Sequence, residues 1–274
     1  MSDRLEKLNA SIAGLEAEGR LREALPLARE STELTRQEAG DESSAYVGAL
    51  NELGSLCRTL RELEESEAEF VKAARIEARA RGTGSPDYAT CINNLAGTYR
   101  LKGDHERAEA LFKEAIEIYE DELGTEHFVY LSALNNLGLV YQDLKRYDDA
   151  EDLHRRALAV LQRRGKRDTV LATTLNNLAA VAMATGRYDE AAGFLEQTLA
   201  VYEQTPGKES VLYLTAMNNV ATADFLKGDY ARAEQRFAQA LQIIDRVLGP
   251  DHPDRAKTAR SLARTREKLR QSPA

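Results

Sequence analysis

Five asparagines recur at one step along the chain: Asn51, Asn93, Asn135, Asn176 and Asn218 follow one another after 42, 42, 41 and 42 residues. Each sits in a short apolar phrase, as in Ile92-Asn93-Asn94-Leu95 and Leu134-Asn135-Asn136-Leu137. A carboxamide carries both donors and an acceptor, so it can pair with the C=O and N–H of an extended backbone without reading its side chains. Five at regular intervals could hold a peptide along its length. At about 1 kcal/mol net per bond the row alone supplies about micromolar binding at best, and selectivity must come from the side chains between. A second series, Asn94, Asn136, Asn177 and Asn219, is equally regular and lies on the side turned toward the preceding unit. Asparagine is a poor helix former and persists inside a helix when it has a bonded partner. Bonding between units is the reading for the second series, ligand contact for the first.

Catalysis has less to draw on. Of the four histidines, His127 and His252 fall in linkers and suit helix starts, and His105 takes the place of a turn aromatic. His154 stands where Phe70, Phe112, Leu195 and Phe237 stand, in a core stripe, and Asp224 stands where Tyr99 and Tyr141 do. A buried carboxylate needs a partner or a raised pKa, so Asp224 is either locally satisfied or functional, and His154 is either a bonded core residue or a base. The chain holds no metal-spaced His/Cys cluster, phosphate loop or nucleophile motif. No catalytic residue is assigned, and neither a metal nor another cofactor is expected.

The elements that must position these residues follow the same step. Each unit opens at an aromatic or apolar marker (Tyr46, Tyr88, Tyr130, Leu171, Tyr213) and continues for about fourteen residues with apolar side chains at helical spacing. A break such as Lys102-Gly103-Asp104 or Lys227-Gly228-Asp229 follows, and a second helix begins; in the second unit its stripe is Ala108, Leu111, Phe112 and Ala115. Small residues at Ala96 and Ala108, repeated as Ala179 with Ala191 and Ala221 with Ala233, let two antiparallel helices approach closely. One supersecondary unit is therefore stacked repeatedly in an all-α array, because no single unit can bury its own apolar face.

Asparagine-leucine-small in the first helix, then glycine, then an aromatic (Tyr147, Tyr188, Tyr230), then alanine resembles a tetratricopeptide repeat. The 42-residue step, with the linkers Leu123-Gly124-Thr125-Glu126-His127 and Leu248-Gly249-Pro250-Asp251-His252-Pro253-Asp254, is similar to the kinesin-light-chain type, over residues 46–265. The resemblance implies a right-handed superhelical solenoid whose first helices line a concave groove. We expect one domain over 1–274: a degenerate helix pair at 4–37, repeats at 46–87, 88–129, 130–170, 171–212 and 213–254, and a capping helix at 255–270. That makes six pairs plus a cap.

Subtracting the packing residues of each first helix leaves one face for the groove. It carries the first asparagines together with Arg58, Arg100, Leu139, Gln142, Met183 and Phe225, and Lys257, Arg260 and Arg264 in the cap. Its contents suit an acidic segment with an apolar centre. In kinesin-light-chain-type repeats the equivalent asparagines clamp peptide backbone, which implies that role for Asn93, Asn135, Asn176 and Asn218, with Asn51 at the same place in the first unit. The chaperone-tail clamp of related proteins needs a lysine at the first asparagine and an asparagine four residues later; Ser55, Gly97, Leu139, Ala180 and Thr222 stand there instead.

Charge narrows the partner. The net charge of −8 and pI of 5.3 argue against nucleic acid or an anionic membrane. Residues 1–129 hold 27 acidic and 16 basic side chains and residues 130–274 hold 18 and 21. This is either a surface of drifting composition or a gradient that orients a partner. The basic run Arg163-Arg164-Gly165-Lys166-Arg167 is a solvated loop or an acidic-partner dock. Cys57 and Cys91 fall at apolar places and read as reduced core thiols, and no run approaches the ~18 apolar residues of a membrane span, so a cytoplasmic location is expected. Three functions remain open: an adaptor holding an extended segment of another protein, a regulatory receptor for a short free peptide, and an enzyme or small-molecule binder built on His154 or Asp224. Nothing in the sequence sets an oligomeric state.

Overall fold

The computed structural model describes residues 2–165, 168–249 and 252–271. Lys166 and Arg167 of the basic run, and Pro250 and Asp251 of the last linker, lie outside the described residues. Among the described residues there are thirteen α-helices and no strand. The chain forms two compact units, Met1–Val140 and Tyr141–Ala274.

The first unit contains α1 (Asp3–Ala17), α2 (Leu21–Ala39), α3 (Ser44–Leu60), α4 (Leu63–Arg81), α5 (Pro86–Lys102) and α6 (His105–Leu123), with most of α7 (Phe128–Asp143). Here α2 packs on α1 and α3, α4 on α3 and α5, and α6 on α5. The second unit holds α8 (Tyr147–Arg164), α9 (Thr169–Ala184), α10 (Tyr188–Gln204), α11 (Val211–Lys227), α12 (Tyr230–Val247) and α13 (Pro253–Gln271). Its order of contact repeats that of the first: α9 on α8 and α10, α11 on α10 and α12, and α13 on α12.

First helices begin two residues ahead of the aromatic markers. Ser43, Ser85, Asp168 and Ser210 are the N-caps, and their side chains accept from the N–H of Tyr46, Tyr88, Leu171 and Tyr213, so each marker is the third residue of its helix. Each first helix ends on a residue with positive φ: Arg61, Gly103, Lys145, Gly186 and Gly228, at 67, 82, 59, 77 and 92°. The next N–H reaches back five residues in every case, as from Asp104 to the Tyr99 carbonyl at 2.9 Å and from Arg146 to Tyr141 at 2.8 Å. This is the left-handed cap that satisfies orphan carbonyls, and Arg61 and Lys145 adopt it without glycine's freedom.

Close approach within a pair is visible at α3 and α4, where a Cβ on Gly54 would lie 2.9 Å from the Phe70 ring. The alanines at the same crossing, Ala96, Ala108, Ala179, Ala191, Ala221 and Ala233, are wholly or almost wholly buried. Cys57 and Cys91 are free and buried, and burial pushes the Cys57 thiol up to about 12. Both thiols therefore stay protonated and behave as small apolar groups.

Candidate functional site

The two asparagine series meet. The side-chain amide of Asn94 donates to the Asn51 Oδ1 at 3.3 Å, that of Asn136 to Asn93 at 3.4 Å, and that of Asn219 to Asn176 at 3.4 Å. Each bond spans 43 residues, one repeat plus one position. Asn218 is served by Thr258 of α13, whose Oγ1 donates at 3.1 Å. Asn94, Asn136 and Asn219 thus bond to the preceding repeat through the carbonyl of its first asparagine, whereas the buried Nδ2 of Asn177 has no hydrogen-bond partner among the described residues. Both halves of each first amide were expected to serve a ligand; at Asn93, Asn176 and Asn218 the carbonyl is taken and only the N–H half remains.

How much remains differs along the row. Asn93, Asn176 and Asn218 are half-buried, and their Nδ2 groups have no protein acceptor among the described residues. Asn51 donates to the Val47 carbonyl at 3.1 Å and approaches the Cys91 sulfur at 3.5 Å. Asn135 is 4% exposed. The open donors are therefore Asn93 in the first unit and Asn176 and Asn218 in the second.

Around Asn93, Arg58 is half-buried, donates to the Asn94 carbonyl at 3.0 Å and lies 5.5 Å from the Phe70 ring centre. Glycine at position 97 makes room, since a Cβ there would sit 2.7 Å from the Arg58 Nη1. Burial, and then the charge of Arg100, pull the Arg58 pKa below its ordinary value. Leu139, four residues after Asn135, is half-buried. In the second unit Asn176, Asn219, Met183 and Leu195 line an open pocket of about 270 Å³. Phe225 is half-buried, and the Arg264 guanidinium lies 4.9 Å from its ring centre.

The cations of α13 divide into two kinds. Arg255 pairs with Asp245 at 2.5 Å and Arg266 with Glu234 at 2.9 Å, both on α12. Lys257, Arg260 and Arg264 are exposed, follow one another at helical spacing, and have no carboxylate partner among the described residues.

The outliers are accounted for by local contacts. His154 is fully buried, and its Nε2 lies 3.0 Å from the Gln142 Nε2, so Gln142 is drawn into that contact. Burial depresses the His154 pKa to about 4, which keeps the ring neutral. Asp224 is 1% exposed, and its Oδ2 accepts from the Arg236 Nη1 at 2.5 Å; Arg236 also bonds Glu196 at 2.7 Å. Desolvation outweighs the guanidinium and holds the Asp224 pKa above the usual carboxylate value. The linker histidines cap helices: His127 accepts from the Val129 N–H at 3.5 Å and His252 from Asp254 at 3.3 Å. Among the described residues there is no group of three or more metal-ligating side chains that could hold an ion, and no helix is long and apolar enough to cross a membrane.

Overlapping segments 45–121, 118–163, 129–204, 170–244 and 213–274 match the tetratricopeptide repeat family. The chain belongs to that family. Three solved tetratricopeptide-like folds resemble it at identities that speak to fold alone. BtubC (BKLC) from P. vanneervenii has a TM-score of 0.67 at 21% identity, over 90% of this chain and 94% of its own. A Podosopora anserina protein described as a kinesin light chain, with nearly identical TPR-like repeats, gives 0.62 at 21%, over 73% and 95%. The apo form of RapI gives 0.61 at 15%, over 98% and 99%. No curated protein matches the chain in sequence. Tetratricopeptide repeats are in general scaffolds for protein–protein interaction rather than catalysts.

One buried titratable group escaped the sequence argument. Glu77 is 3% exposed and stands where later repeats have Tyr119, Leu161, Tyr202 and Ile244; its Oε2 has no hydrogen-bond partner, and the Arg81 Nε lies 3.6 Å away. The same repeat register that exposes Asp224 and His154 would have found it.

Proposed function

We propose that this tetratricopeptide protein is a non-enzymatic adaptor that holds an extended segment of another protein on the first-helix faces of its repeats. The observation that carries the reading is the set of half-buried side-chain amides, Asn93, Asn176 and Asn218, whose carbonyls are already bonded and whose N–H groups are left for a ligand. A buried donor without an acceptor costs about 1–3 kcal/mol, so a peptide carbonyl at each is favoured over water only where the groove also excludes solvent. The open pocket beside Asn176 and Met183 offers apolar walls for a side chain. The unpaired row Lys257, Arg260 and Arg264 adds a preference for carboxylates in the second unit. The bound segment is accordingly acidic with an apolar centre, and the protein acts in the cytoplasm without nucleic acid, membrane or cofactor.

An enzyme built on the outliers is disfavoured by their chemistry: His154 is buried and neutral, and Asp224 is committed to Arg236. The test is a pull-down from the native host, read by mass spectrometry, with wild type against the double variant Asn176→Ala/Asn218→Ala. Partners recovered by wild type and lost by a folded double variant support the adaptor. Equal recovery by both would remove the asparagines from the binding function.

A further inference from the structure

The seam between α1 and α3 departs from the others. Its first-asparagine place is held by Asn9, whose Oδ1 accepts from the Ser31 hydroxyl of α2 at 2.6 Å. The second place, from which Asn94, Asn136 and Asn219 donate backward, holds Glu52. A carboxylate cannot donate, and Glu52 is exposed with no hydrogen bond or ion pair among the described residues. On either side of it a pocket opens between residues of α1, α2 and α3. One cavity of about 600 Å³ and another of about 360 Å³ share Ser31, Ala49 and Glu52 in their walls. The larger is otherwise walled chiefly by Ile12, Leu21, Leu53 and Leu56, with Glu16 at one side, and the smaller has Glu38.

Two requirements follow for an occupant. It must cover apolar walls, and it must meet a carboxylate that would otherwise lose its water without gaining a partner. A lysine or arginine side chain does both, because its methylene stem lies on apolar surface while its charged head reaches the acid. An acidic or wholly apolar segment would leave Glu52 uncompensated. The field of the first unit acts in the same direction, since residues 1–140 carry 27 acidic and 16 basic side chains.

We infer that the trough between α1 and α3 is a second binding site, which takes a lysine- or arginine-bearing segment of a partner protein with its cationic head on Glu52. The site does not depend on the open asparagine amides, so it stands or falls apart from the adaptor's peptide ladder. It also gives the first unit a selectivity opposite in sign to the cation row of α13.

The probe is a phage-displayed library of random dodecapeptides, selected on the full chain and on its Glu52→Gln variant. Glu52 is exposed, and the variant is expected to unfold at the same urea concentration as wild type. Wild type should retain peptides enriched several-fold in lysine or arginine at one position, and Glu52→Gln should lose that enrichment. Replacing the basic residue of a selected peptide by norleucine should then weaken binding to wild type three- to tenfold and leave binding to Glu52→Gln unchanged. A second variant, Ala49→Leu, fills both cavities and should weaken the same peptide at least tenfold. Equal basic enrichment on both proteins, or none on wild type, would overturn the inference. Should Asn176→Ala/Asn218→Ala abolish peptide capture while Glu52→Gln keeps the basic preference, this site fails and the ladder survives.

Discussion

The side-chain amide of Asn219 donates to the side-chain carbonyl of Asn176 at 3.4 Å, and this bond divides the work of the Asn176 amide between two neighbours. Its oxygen serves the next repeat and its nitrogen faces outward. Asn176→Asp keeps the acceptor and replaces the outward donor by an oxygen that repels a peptide carbonyl. The variant is expected to hold its stability within about 1 kcal/mol while losing about tenfold in peptide affinity, as read by urea melts and calorimetric titration. Asn219→Ala should do the reverse, costing about 1 kcal/mol in the melt with a smaller effect on affinity. An affinity loss from both or neither would refute this division.

His154 gives a dependence on pH. Its folded pKa of about 4 lies below the ordinary histidine value of 6.5, so the unfolded chain binds more protons between those values and stability falls as pH drops through that window. His154→Phe, which restores the side chain found at Phe70, Phe112 and Phe237, removes the dependence. The stability difference between the two proteins is expected to move in the variant's favour by about 2 kcal/mol between neutral pH and about pH 5. Chemical melts at both pH values measure it, and a constant difference would show that the ring does not resist protonation.

Arg61 and Lys145 hold the left-handed cap at φ 67 and 59°, where the other first helices have glycine. An L side chain there costs about 1–2 kcal/mol, partly offset because glycine loses more entropy on folding. Arg61→Gly and Lys145→Gly should each stabilise the protein by about 0.5–1 kcal/mol, with additive gains because the sites share no partner. Thermal melts of the single and double variants provide the check.

Asp224 is held by Arg236, and its loss leaves that guanidinium with Glu196 alone. Breaking a fully buried pair costs about 3–5 kcal/mol; the second carboxylate should reduce this to about 2 kcal/mol for Asp224→Ala. Peptide affinity should change less than twofold. A large affinity loss without a stability loss would return Asp224 to the functional residues.

The architecture was legible because a period is a long-range signal: five copies of Asn-Asn/Glu and a small residue, three of them followed by glycine, register each other, and the helix pairs follow. The helix starts lie two residues ahead of the markers because the N-cap side chain, not the first apolar residue, fixes where helical bonding begins. The local roles were harder to read. Asp224 finds Arg236 twelve residues away on the facing helix, a contact set by how two helices cross. The seam donor for Asn218 is Thr258, one turn before the aligned Ser261, because a hydroxyl on a shorter side chain needs a different starting point. The orientation of Asn93, Asn176 and Asn218, with the carbonyl committed to a neighbouring helix and the amide left over, depends on a rotamer chosen by that neighbour, which sequence spacing does not encode.

The 43-residue span of the asparagine bond has an evolutionary corollary. When a gene segment of one full period is duplicated within the stretch whose seams carry this bond, the donor at the new junction again finds an acceptor of the same kind in the repeat before it. At those seams length can change by whole periods with the bond retained, whereas a cut of any other size breaks it. Such a chain can vary its number of repeats between lineages while the chemistry of its asparagine-bonded junctions stays the same.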